Sequence, residues 1–91
     1  MKILDTAKQR IAKLGKSKSA FTIAHAAASA CDQSYGVSLL RVAVGLDCQN
    51  KKLVQDLLRI TEQQDFSNAA QAEMLNWLSE RGLLGSAPQA N

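Results

Sequence analysis

Apolar residues recur at three- and four-residue intervals along most of the chain, and that spacing predicts helices rather than strands. Over residues 2–14, Ile3, Leu4, Ala7, Ile11 and Leu14 fall within one arc of roughly 100° when placed at 100° per residue, with the polar side chains around the rest. Gly15 suits the position just past the end of this first helix. Beyond the short linker Lys16-Ser17-Lys18, a second helix is expected from a Ser19 cap to about Cys31. Six of its residues are alanine (Ala20, Ala24, Ala26, Ala27, Ala28 and Ala30). Alanine has the best helix propensity and little bulk, so neighbours can approach this helix from several sides. It is therefore expected at the centre.

The pattern breaks at Asp32-Gln33-Ser34 and Gly36 and resumes over residues 37–44, where Leu39, Leu40, Val42, Ala43 and Val44 are apolar nearly all round. The β-branched content would also suit a buried strand. However, no second strand candidate exists to pair with it, and a lone strand leaves its backbone groups unsatisfied. A short buried helix ended by Gly45 is the expectation. A fourth helix starts at a cap on Asp47 or Asn50 and runs to about Gln63. Leu53, Val54, Leu57, Leu58 and Ile60 or Thr61 lie on its inner face, with Lys51, Lys52, Gln55, Asp56, Arg59 and Glu62 outside. In the fifth, Ser67 or Asn68 caps, Asn68 with Gln71 resembles a capping box, and Phe66 is placed as a staple. Met74, Leu75, Trp77 and Leu78 face inward, Gly82 stops the helix, and Leu83 and Leu84 fold back as an apolar tail-piece. Residues 85–91 have the composition of a flexible C-terminal tail, and they hold the single proline, Pro88.

Composition narrows this to an all-α, compact single-domain bundle of four or five short helices. Residues 1–84 form the domain, with a basic amphipathic helix over 1–15 packed on it. The 91 residues suit one domain. With 46% hydrophobic and 21% charged residues the chain is globular rather than disordered. Only 4% of residues are aromatic, so Leu, Ile, Val and Ala must build the core. A core this thin has little room for a deep active-site cavity.

The net charge of +3 hides a segregation. Lys2, Lys8, Arg10, Lys13, Lys16 and Lys18 stand against Asp5 alone in the first eighteen residues, whereas the remainder holds five basic and seven acidic side chains. These six cations are the candidate binding residues, toward an acidic partner or nucleic-acid phosphates. The bland alternative is a solvated outer face of an amphipathic helix.

Catalytic and metal constellations do not assemble from the sequence. On a continuous helix His25 and Cys31 lie about 120° and ~9 Å apart, too far for a nucleophile pair. His25, Ser29 and Asp32 share a face, but His25 and Asp32 are about 10.5 Å apart along the axis. One His with Cys31 and Cys48 lacks the paired spacings of structural zinc modules. Neither a glycine-rich phosphate loop nor a calcium-loop cluster is present. No enzyme, metal or small-molecule cofactor is expected. Both cysteines read as reduced thiols.

The basic start followed by the run 20–30 and Cys31 loosely resembles a bacterial lipoprotein signal. The basic region is too long and itself amphipathic, and the run contains His25 and is only weakly hydrophobic. No stretch approaches a membrane span, and a cytoplasmic location is the default expectation. The second helix, its turn and the third helix can be drawn as a helix-turn-helix with Ala27, Val37 and Leu40 packing. Cys31 stands where a small turn residue belongs, the turn is long, and only Ser38 and Arg41 offer polar contacts to bases. The leading expectation is a non-enzymatic helical interaction protein that associates with itself, as a homodimer in its simplest form, or with another protein. Its basic helix is then available to an acidic partner. The alternative is a nucleic-acid-binding accessory protein using that helix.

Overall fold

The computed structural model describes residues 1–84, so the expected tail over 85–91 lies outside the described residues. The chain is an all-α globule of five helices, with no strand among the described residues: α1 (Lys2–Leu14), α2 (Lys18–Cys31), α3 (Leu39–Gly45), α4 (Cys48–Leu58) and α5 (Asn68–Glu80). A short 3₁₀ turn, Ile60–Glu62, follows α4, so the helical run expected to reach Gln63 breaks at Arg59.

Helix boundaries follow local chemistry. The Oγ atoms of Ser17, Ser38 and Ser67 accept from the backbone N–H groups of Ala20, Arg41 and Ala70 at 3.1, 3.2 and 3.0 Å, and Asp47 accepts from Asn50 N at 2.8 Å. The cap of α2 is thus Ser17 rather than Ser19, which enters the first turn. At α5 Ser67 caps and no capping box forms, because the Gln71 side chain reaches across to donate to the Ala30 carbonyl instead, at 3.2 Å. The end of α5 is a Schellman turn: Gly82 has φ 71°, and Leu83 N and Gly82 N donate to the carbonyls of Leu78 and Ser79 at 3.1 and 3.0 Å. Leu83 and Leu84 fold back and are buried, as the sequence predicts.

Helix α2 packs against all four of the other helices. Its buried Ala20, Ala24, Ala26, Ala27 and Ala28 keep it thin enough to be surrounded, and Ile23 supplies bulk. Ile3, Leu4, Ala7 and Ile11 of α1, Leu53 and Leu57 of α4, and Met74 and Leu78 of α5 close around it. Two contacts far apart in sequence fasten α1: Lys2 N donates to an Asp65 carboxylate oxygen at 2.8 Å, and Arg10 donates to the Oδ1 of Asn50, one of the few polar residues inside.

The third helix departs from expectation. No residue of α3 is buried, and it is only two turns long. Val37, just before it, and Val42 rest partly buried on the core. A helix this short presses one line of side chains onto its neighbours, and being apolar all round it turns the others outward. Leu58, expected inside α4, also points into solvent.

Candidate functional site

The six cations singled out by sequence do not form one surface. Lys8 and Arg10 are two residues apart, a rotation of about 200° on a helix, and so leave α1 on opposite flanks. Lys8 turns toward α5, where its Nζ is 3.5 Å from a Glu73 carboxylate oxygen and 5.9 Å from the Trp77 ring centre. Arg81 stacks over the same ring at 4.7 Å. Arg10 turns toward α4 and Asn50. Both therefore hold helices together. Lys2, Lys13, Lys16 and Lys18 are exposed. Lys16 and Lys18 line a groove of about 570 Å³ shared with Phe21 and Thr22 of α2 and with Arg41 and Val44 of α3.

The larger anomaly is apolar. Leu39, Leu40 and Val44 of α3 are 79%, 71% and 77% exposed, and Leu58 at the end of α4 is 85% exposed. Scattered exposed leucines are ordinary, whereas several together on one element and its neighbour make a candidate interaction surface. Beside this ridge a groove of about 540 Å³ opens between α2, α3 and α4, with Ala26, Ala30, Val37, Val54 and Leu57 among its walls and Leu39 and Leu58 at its edges. Lys51 is its one charged lining residue. The sequence carried the signal for this ridge, a helix apolar on every side, but not which side faces out.

The same geometry bears on base reading. Residues 32–38 separate α2 from α3, longer than the three or four residues of a helix-turn-helix turn. The outward face of α3 offers mainly leucine and valine, with Arg41 its only cation.

The candidate chemistry groups stay apart. His25 Nδ1 donates to the Phe21 carbonyl at 3.0 Å and the ring stacks on Phe21 with centres 5.8 Å apart. Its Nε2 is buried without a hydrogen-bond partner, so neither a nucleophile nor a carboxylate engages it. Burial, with the Asp32 carboxylate beside it, pushes the Cys31 thiol up to about 11, away from thiolate chemistry at neutral pH. Cys48 is exposed, and both thiols are free. Among the described residues no cluster of three or more His, Cys, Asp or Glu side chains is placed to hold a metal, and no helix is long and apolar enough to cross a membrane. Comparison with known protein families, curated proteins and solved structures finds no match to this chain.

Proposed function

We propose that this protein acts by docking, and that the occupant of its α3–α4 face is a second copy of the chain. The observation that carries the reading is a two-turn helix with no buried residue that presents three large aliphatic side chains to water. Exposing such side chains forgoes about 1.5–3 kcal/mol each relative to burying them, a cost that a partner removes.

A second copy is favoured because ridge and groove lie side by side on one face. A two-fold axis brings one protomer's ridge onto its partner's groove and the reverse, so one patch serves both sides. Two-fold pairing also buries each of the four exposed side chains twice. The near absence of charge in the groove suits an apolar ridge better than an acidic or phosphate-bearing partner.

Sedimentation velocity across a wide range of protein concentration tests this. A monomer–dimer equilibrium is expected, abolished by Leu40→Glu combined with Val44→Glu while the circular dichroism stays helical. A strict monomer at every concentration refutes self-association.

A further inference from the structure

On the other side of α3 lies the second groove, and its chemistry differs. Lys16 and Lys18 approach it from the α1–α2 linker and the start of α2, and Arg41 approaches from α3. None of the three forms an ion pair with a described carboxylate. Three like charges thus line one concavity, and no described carboxylate lies within ion-pair distance of any of them. Phe21 and Val44 supply apolar surface between them, and both remain partly or largely exposed. Cations without counter-charge around uncovered apolar side chains complement a ligand with an anionic head and an apolar body.

We propose that this groove binds an organic monoanion, a carboxylate on an aliphatic chain of moderate length, with the carboxylate held by Lys16, Lys18 and Arg41 and the chain on Phe21 and Val44. The volume of about 570 Å³ lies within the usual size of small-ligand sites. Arginine and lysine divide the work. The guanidinium offers a planar pair of donors to both carboxylate oxygens, and the ammonium groups add charge. A small inorganic anion would leave Phe21 and Val44 wet, so the apolar body is part of the specificity.

The site shares Val44 with the exposed α3 ridge but none of the lining of the α2–α3–α4 groove, so it is tested on the monomer, at protein concentrations too low for pairing. Decanoate, below its micelle-forming concentration, and decanol are titrated separately into the full chain at low protein concentration, followed by calorimetry and amide chemical shifts. Decanoate is expected to bind at least tenfold tighter than decanol, with shifts centred on Lys18, Phe21 and Arg41. The pair Lys16→Glu and Lys18→Glu should weaken decanoate at least tenfold and leave decanol unchanged; these side chains are exposed, and circular dichroism verifies the fold. Arg41→Gln should weaken decanoate independently. Lys51→Glu, which alters the neighbouring apolar groove, should change nothing. The proposal is overturned if decanoate does not bind, if decanol binds equally well, or if inorganic phosphate displaces decanoate at equal concentration. A Lys51→Glu loss matching that of the Lys16/Lys18 pair overturns it too.

Discussion

Leu57 and Leu58 are adjacent in α4 and chemically identical, yet they are 2% and 85% exposed. Truncating each to alanine separates the two things an apolar residue does here. Leu57→Ala removes three carbons from a closed site, about 2.4 kcal/mol of transfer free energy at ~0.8 kcal/mol per carbon. The space left under α2 raises the loss to about 3–4 kcal/mol. For a domain of this size the thermal midpoint should then fall by roughly 15–25 °C. Leu58→Ala removes the same carbons from water and should change monomer stability by less than about 0.5 kcal/mol. The assay is thermal and urea unfolding followed by circular dichroism at two protein concentrations roughly a hundredfold apart, since association raises the midpoint by mass action. The wild-type midpoint should rise with concentration, Leu57→Ala should lower it at both, and Leu58→Ala should remove only the rise. If Leu58→Ala destabilises as much as Leu57→Ala at the lower concentration, the inside–outside assignment of α4 is wrong. If the wild-type midpoint ignores concentration, the docking reading of α3 and α4 fails instead.

Four further outcomes follow from the same structure. The bond between Arg10 and the buried Asn50 should show a coupling of about 1–3 kcal/mol in a double-mutant cycle of Arg10→Met and Asn50→Leu; additive effects would mean it contributes nothing. Folding raises the Cys31 pKa from 9.0 to about 11, so between those values the folded state binds the proton more tightly. That contribution is complete below pH 9.0 and is lost as pH rises toward 11, so the urea midpoint should fall across this window less steeply in Cys31→Ala than in the wild type. At neutral pH iodoacetamide should alkylate the exposed Cys48 first; faster labelling at Cys31 would contradict its placement. Finally, Lys8→Met should leave retention on heparin unchanged and lower the thermal midpoint, because Lys8 is engaged with Glu73 and Trp77. Lys13→Met should do the reverse, and equal retention losses for the two would restore a single basic face on α1.

Much of the fold was written locally. Among the described residues Gly15 and Gly82 are the two glycines at positive φ, and each ends a helix where the apolar periodicity stops. Ser67 and Asp47 begin helices because a side-chain oxygen three residues upstream satisfies a free N–H, an interaction within one turn of chain. Alanine content placed α2 at the centre, since a thin helix is the one that four others can surround. What the chain alone left open was decided by contacts across tens of residues. The Lys2–Asp65 and Arg10–Asn50 bonds join residues 63 and 40 apart, and no periodicity announces either. The Arg10–Asn50 bond and the Lys8–Glu73 pair divide the cations of α1 between structure and surface. The clearest case is α3. A helix apolar on every side carries no local instruction about which side to bury, so α2 and α4 choose. Having only two turns to offer them, α3 leaves Leu39, Leu40 and Val44 outside, and the surface of the protein is set there by tertiary packing rather than by hydrophobicity.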